Sequence, residues 1–412
     1  MVSFNAFDRQ ILKAFQIFMA VVFLLTFVKT WHQLSIREWG YSDWLINYGA
    51  GYVRRGLSGE VVLSLAPVVK PELTMLFIAM ACYFVIFLSI YWMARRIVTR
   101  VEIILCLISP LGLLFHAYNN SVGSGRKELM FLALFAAQLG LAQNRGSAQG
   151  WQVLIILMWG ILFLFWEGGY FFVGFPLVIF FISTAKSVDD RSAIGTAAVM
   201  FGVLSIIFGI NAVLSMTASP QQIAAMCDAL GSAAPDTCTQ FSAISYLQTP
   251  LSEAVKQVVG MAGKGALWVY FIVACLGALP IMLVWSLYEF TADAKVPPRY
   301  LAAGLVLANV FVIPLYAVAF DWGRWLNITY LFTIMSVLFF INTGRLRRVV
   351  SDAQLWSEMA DRPALLRLAS PILVIAMLVY SLGWSVPVCC AASLEQGAFG
   401  TVERMINRET KP

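Results

Sequence analysis

Apolar residues arrive along this chain in blocks, not at the spacing of an amphipathic helix or an alternating strand. Phe18 to Val28 and Leu76 to Met93 are two such blocks, and blocks near 20 residues are what a hydrocarbon core of about 30 Å asks of a helix. Barrel strands would alternate apolar and polar residues over segments of roughly ten, and that pattern is missing. The blocks and the polar breaks between them predict spans near 11–30, 73–93, 102–118, 127–143, 151–166, 169–185, 195–216, 266–286, 300–320, 326–343 and 369–388. The expected fold class is therefore all-α: a polytopic integral membrane protein with about ten or eleven transmembrane helices. Residues 1–412 form a single transmembrane domain in this reading, without internal repeat or separate soluble domain. Lys29, Trp31 and His32 follow the first block in place of a small-residue cleavage site, so it is read as an uncleaved span.

Composition agrees: 60% of residues are hydrophobic and 12% charged, which no water-facing globular surface accommodates. The formal charge of +6 is scattered, and no nucleic-acid-binding patch emerges. Its distribution predicts orientation. Connections carrying Arg95, Arg96 and Arg100, then Arg145, Lys186 and Arg191, then Lys295 and Arg299, then Arg345, Arg347, Arg348, Arg362 and Arg367 fall on one side if the spans alternate. The positive-inside rule makes that side cytoplasmic, together with the N-terminus. Residues 344–368 read there as an amphipathic cytoplasmic linker. The opposite side receives two large outer loops, 31–72 and 217–265, and short turns near 119–126, 167–168 and 321–325. Cys227 and Cys238 lie in the second loop, where a disulfide is plausible if the loop faces an oxidising compartment. Cys82, Cys106, Cys275, Cys389 and Cys390 lie in or beside apolar stretches and read as small core residues.

The outer turns carry cations against the topology rule, namely Arg37, Arg54, Arg55, Arg126, Lys127 and Arg324, and carboxylates accompany them at the same depth: Asp43, Glu60, Glu128, Glu167 and Asp321. Ionisable groups at the membrane edge are costly unless paired or solvated, and they commonly line substrate paths. Asp43 precedes Arg54 and Arg55 by a stretch with glycines at 49 and 51, with Gly56 and Gly59 just beyond, and can fold back on them; a salt bridge that merely pins the loop is the competing account. Asp321 and Arg324 share a helix face, either as a phosphate grip or as a structural cap. The polar run Asn119 to Glu128 opens a span, and backbone amides with Arg126 and Lys127 would make an anion pocket there. Glu167 could position a hydroxyl, pair with Arg126, or sit in water. The two histidines, His32 and His116, lack metal-ligand spacing, so neither metal nor cofactor is expected. Phosphate-binding loops and dinucleotide fingerprints are also absent, which speaks against ATP-driven transport by this chain alone.

Arginines and carboxylates beneath aromatic-rich outer loops suit a substrate with a lipid tail and a diphosphate head. Arg54, Arg55, Arg126, Lys127 and Arg324 would bind it, and Asp43, Glu167 or Asp321 would deprotonate an acceptor hydroxyl. The order of features, a first span, a long outer loop with Asp43, many further spans and a later outer loop, resembles the C-type membrane glycosyltransferases that use polyprenyl-phosphate or polyprenyl-diphosphate sugars. Within that group, size and hydropathy resemble the bacterial O-antigen and capsule polymerase family, along most of the chain. The resemblance implies Asp43 as the catalytic carboxylate and Arg54, Arg55, Arg126 and Arg324 as diphosphate ligands. It further implies a polyprenyl-diphosphate-linked oligosaccharide as substrate, membrane lipid around it, a chain-length regulator or other envelope-assembly protein as partner, and a bacterial inner membrane. The Arg-x10-Gly pattern of that family's outer loops is absent from the outer connections here, which leaves another lipid-linked sugar transferase open. A secondary transporter or flippase would place its charges near the midplane and show repeated halves; an envelope scaffold would use its outer loops as interaction surfaces.

Overall fold

The computed structural model describes residues 6–37, 39–118, 124–143, 149–214, 217–234, 237–238, 242–291, 296–349, 363–387 and 395–397. The chain is helical along most of that length. It begins with α1 (Ala6–Ser35), a short buried α2 (Trp39–Trp44), α3 (Gly56–Leu65) and α4 (Pro71–Ala94). Then come α5 (Val101–Leu107), α6 (Leu114–Tyr118), α7 (Leu129–Gln143), α8 (Gln149–Leu162), a 3-10 turn at Glu167–Phe172, α9 (Gly174–Thr184) and α10 (Arg191–Leu214). The second half holds α11 (Pro220–Leu230), α12 (Leu251–Met261), α13 (Leu267–Leu287), α14 (Pro298–Val310), α15 (Ile313–Val318), α16 (Trp322–Asn342) and α17 (Pro363–Leu382).

Seven stretches among the described residues are long and apolar enough to cross a bilayer: Asp8–Ser35, Pro71–Ala94, Glu167–Thr184, Arg191–Leu214, Leu251–Leu287, Arg299–Val318 and Trp322–Asn342. The sequence-based count is higher because several apolar blocks form short helices. The block at 102–118 breaks into α5 and α6 around Ser109 and Pro110, where proline lacks the N–H a continuous helix needs and disfavours helical geometry in the residue before it. At 15 residues, α7 reaches about 22 Å, short of a full hydrocarbon core. Elsewhere helices run beyond their predicted bounds. Residues 31–35 belong to α1, and α12, placed in the second outer loop, continues through a turn at Gly265 (φ +92°) into α13.

At the centre stands α16, with 78% of its apolar window buried. Its Phe332 ring packs against Phe135, Phe172 and Phe175 at centroid distances of 4.9, 5.3 and 5.0 Å, tying α7 and the segment around α9 to the core.

Contacts between distant segments define the two ends of the bundle. At the end carrying Arg95, Arg100 and Arg345, strand β1 (Tyr288–Phe290) pairs antiparallel with β2 (Leu346–Arg348). Tyr288 donates its hydroxyl to buried Glu102 (3.0 Å), Arg348 faces the same carboxylate (3.4 Å), and Arg100 donates to the Tyr288 oxygen (2.8 Å). The predicted amphipathic linker thus begins as a strand, and its residues 350–362 lie outside the described residues. A smaller pair, β3 (Trp384–Ser385) with β4 (Glu395–Gln396), follows α17.

The other end gathers the two large connections. Arg37 pairs with Glu72 at the start of α4 (2.8 Å), Trp44 Nε1 donates to the Gly125 carbonyl (2.7 Å), and the Ala243 N–H donates to Ser42 Oγ (2.9 Å). The side-chain amide of Asn47 donates to the Met226 carbonyl of α11 (3.1 Å). A reciprocal cap starts α11: Ser219 Oγ accepts from Gln222 N, and Gln222 Oε1 accepts from Ser219 N. Cys227 and Cys238 form a disulfide that closes the connection after this helix, with Cα atoms 6.0 Å apart. A crosslink over so short a loop is worth about 3 kcal/mol in the loop-closure account. Reduction should therefore open 220–240 to limited proteolysis while leaving the spanning helices resistant, and identical cleavage patterns would show that the bond holds nothing.

Candidate functional site

The first connection owes its shape to close backbone approaches. Gly59 donates its N–H to the Ile46 carbonyl (2.9 Å), and any Cβ at Gly59 would collide with that oxygen. Gly56 likewise lies against the Tyr48 ring. Between them and α2, Arg55 caps the start of α3 with φ +65°, a left-handed conformation that costs a non-glycine residue about 1 kcal/mol or more. That strain aims the guanidinium back across the loop. Its Nε and Nη2 reach Glu167 Oε2 and Oε1, both at 2.8 Å, a two-pronged grip, and Nη1 stands 3.5 Å from Asp43 Oδ1.

Lys127 closes the arrangement from the start of α7. Its side chain is 0% exposed; Nζ donates to the Asp43 carbonyl (2.8 Å) and Ser58 Oγ (3.2 Å) and faces Asp43 Oδ1 at 3.4 Å. The neighbouring Glu128 meets Arg324 Nη2 at 2.9 Å, and Arg324 also pairs with Asp321 Oδ2 at 2.9 Å, the three-residue spacing at the start of α16 that the sequence suggested. Arg126 is 4% exposed and lies within the electrostatic reach of Asp43, Glu128, Asp321 and Arg324.

Segments that are distant in sequence thus form one chain of charges: Glu167, Arg55, Asp43 and Lys127 on one side, Glu128, Arg324 and Asp321 on the other, with Arg126 beside both. Burial alone would raise the Asp43 carboxyl, but Lys127, Arg55, Arg126 and Arg324 more than offset it and hold Asp43 down to about 2. Burial pushes Lys127 down to about 8, against the pull of Asp43. Burial, reinforced by Arg324, pushes Arg126 down to about 10.

Other expected members lie apart. Arg37 is engaged by Glu72, and Glu60 accepts the Tyr48 N–H (2.6 Å). Arg54 does not join the chain of pairs; it lines a separate cleft. The Glu167–Arg126 pairing considered from sequence gives way to Glu167–Arg55. Of the turn 119–128, residues 119–123 lie outside the described residues, so the anion pocket expected from its amides extends beyond them. Sequence reasoning gave no role to Ser58, or to His116 and Asn327, which line a cleft together with Arg126 and Arg324, and counted Glu128 only as a neighbouring acid. The triplet Arg126-Lys127-Glu128 at the edge of an apolar block was the available signal.

Two narrow clefts flank the charges, with volumes of about 20 and 10 Å³, room for little more than a water molecule in each, so a larger ligand must lie partly in the open mouth or widen them. One is bounded by Arg126, Glu128 and Arg324 and continues between Phe115, Leu132 and Ile328. The other runs between Tyr52, Arg54, Thr217 and Gln222. Among the described residues no cluster of His, Cys, Asp and Glu is placed to hold a metal ion. What the arrangement offers is guanidinium groups for an anion and ionised carboxylates beside them.

No curated protein and no solved structure matches the chain. A family model, described as that of the uncharacterised membrane protein Rv1490, matches residues 11–236, which take in Asp43, Arg54, Arg55, Arg126, Lys127, Glu128 and Glu167. The match spans more than half of the chain, and the protein belongs to this membrane protein family.

Proposed function

We propose that the protein is a membrane glycosyltransferase, of polysaccharide polymerase type, acting on polyprenyl-diphosphate-linked sugars at the outer face of a bacterial inner membrane with its N-terminus in the cytoplasm. The observation that carries this reading is the narrow cleft that Arg126 and Arg324 line together with Phe115, Leu132 and Ile328. Cations joined to an apolar slot at the end of a membrane bundle match a phosphate head joined to a prenyl tail. Ligand sites of this kind combine apolar walls with a few orienting polar groups.

In this reading the diphosphate exchanges places with carboxylates. Glu128 and Asp321 neutralise Arg324 in the unliganded protein, and an incoming diphosphate competes for the same guanidinium, releasing them. The acceptor hydroxyl oxygen attacks the anomeric carbon, forming the glycosidic C–O bond as the C–O bond to the diphosphate breaks. The bonding electron pair leaves on the phosphate oxygen, where the guanidinium groups stabilise it. The hydroxyl proton passes to a carboxylate, Asp43 being the best held. Lys127 points at Asp43 and Ser58, so its part is to tether the first loop.

The test is the length distribution of lipid-linked glycans in cells whose only copy carries Arg324→Ala. Losing one donor to developing charge costs about 10²–10³ in rate, so single units should accumulate on the outer leaflet, and Arg324→Lys, which keeps the charge facing Glu128 and Asp321 without the fork, should show the same accumulation at normal protein level. Single units trapped on the inner leaflet would instead support a flippase, and an unchanged distribution would end the transferase reading.

A further inference from the structure

We infer that the second cleft, between the first connection, the end of α10 and the start of α11, is a binding subsite for an acidic saccharide. That the saccharide is the acceptor of the transfer rests on the function proposed above; that the cleft binds it does not.

The cleft is lined by Arg54 but by no carboxylate; Glu167 lies within the electrostatic reach of Arg54 but is already gripped by Arg55. Arg54 Nε is buried without a hydrogen-bond partner. A buried donor left unmade costs about 1–3 kcal/mol, so the guanidinium gains by turning toward a ligand oxygen. Arg55, the next residue, spends its fork on Glu167 in the same geometry that a carboxylate ligand would offer Arg54.

Tyr52 supplies the second feature of a sugar site. The residue is 38% exposed, and its ring stacks on Tyr48 at 5.7 Å and 14° and is fixed by a hydrogen bond from its hydroxyl to Asn211 Oδ1 (2.8 Å). A rigid, half-open aromatic face receives the C–H face of a pyranose, while Arg54 takes its acid group. On the opposite wall, Gln222 uses its Oε1 in the α11 cap, which leaves its amide donors for hydroxyl oxygens. These walls are held in place: Ala218 N donates to the Leu247 carbonyl (3.0 Å), Asn47 ties α11 to the first connection, and the disulfide closes the segment behind it. A saccharide seated there lies near Glu167, at the edge of the charge chain, in a cleft that shares no lining residue with the apolar one.

Saturation-transfer NMR on the full chain in zwitterionic-lipid nanodiscs tests this with two probes, digalacturonate and maltose. Transfer to digalacturonate and little to maltose is expected. Arg54→Gln should lower it about tenfold, the worth of one charge-assisted contact; Arg54→Lys, which keeps the charge without the fork, should fall between; Arg324→Gln should leave it unchanged. Arg54 is only partly buried, and an unfolding midpoint equal to wild type checks that the variants fold. Transfer to neither probe, equal transfer to both, or transfer indifferent to Arg54 would overturn the inference. Binding without any effect of Arg324→Ala on glycan length would remove the transferase reading and leave the subsite. The reverse result would remove the subsite alone.

Discussion

Asp43→Asn should reduce sugar transfer by about 10²–10⁴, the usual worth of a positioned general base, in the protein that folds, and it should also lower stability, because it leaves the enclosed Lys127 ammonium without its carboxylate. Asparagine keeps the shape of the side chain and an oxygen toward Lys127, so what is lost is the charge that accepts a proton. In the unliganded protein Asp43, held down to about 2 by four cations, is a weak base. A diphosphate that recruits Arg55, Arg126 or Arg324 withdraws those cations from Asp43, and its own negative charge opposes a second anion nearby. Substrate binding therefore raises the proton affinity of Asp43 at the moment a proton must be taken. Transfer rates measured in membranes for Asp43→Asn, Glu167→Gln and Asp321→Asn decide the assignment. A near-normal Asp43→Asn beside an inactive Glu167→Gln would move the base to Glu167.

Much of this arrangement can be read from the chain, because cost marks it. Charged residues at the membrane edge must be paired or solvated, so Asp43, Arg55, Lys127, Glu167, Asp321 and Arg324 stand out wherever apolar blocks end. Asp321 and Arg324 could be paired by spacing alone, and Cys227 with Cys238 by their position in one polar connection. What spacing cannot convey is choice among partners: that Glu167 takes Arg55, that Arg324 holds Glu128 as well as Asp321, or that Lys127 turns inward. Those follow from which helix ends meet, and α7 meets α16 across nearly two hundred residues of chain. Local breaks were lost for another reason. A hydropathy window averages across Pro110, so α5 and α6 read as one span, and a three-residue strand such as β1 has too few positions to show a period. The clasp of Glu102, Tyr288 and Arg348 depends on such a strand, and nothing nearby in sequence announces it.

Lys127→Met should be the most damaging single change to the fold of the site. The ammonium is wholly enclosed and anchors both Asp43 and Ser58, and removing one member of a buried ion pair costs about 3–5 kcal/mol, since the remaining charge keeps its desolvation penalty. Arg55 still faces Asp43 at 3.5 Å, which places the expected loss at the lower end, about 3 kcal/mol. It should be read as a lowered unfolding midpoint in detergent and a first connection newly open to protease. Losing the charge by titration differs from losing the side chain: burial disfavours the ammonium relative to the unfolded chain, so deprotonation does not lower the unfolding midpoint, and its effect is to be read in activity. Lys127, pushed down to about 8 by burial, is charged below that value and neutral above it. The groups facing it are Asp43 and Ser58, with the charges of Arg55 and Glu167 nearby; of these Asp43 is already ionised far below this range. Transfer activity should therefore be full below about pH 8 and decline as pH rises through it, because the neutral amine no longer fixes the position of the Asp43 carboxylate and the first loop. Lys127→Arg keeps a charge that does not titrate there, and its alkaline decline should vanish even if its maximal rate is lower. An alkaline limb at the same pH in Lys127→Arg would assign the limb to another group and leave Lys127 a purely structural tether.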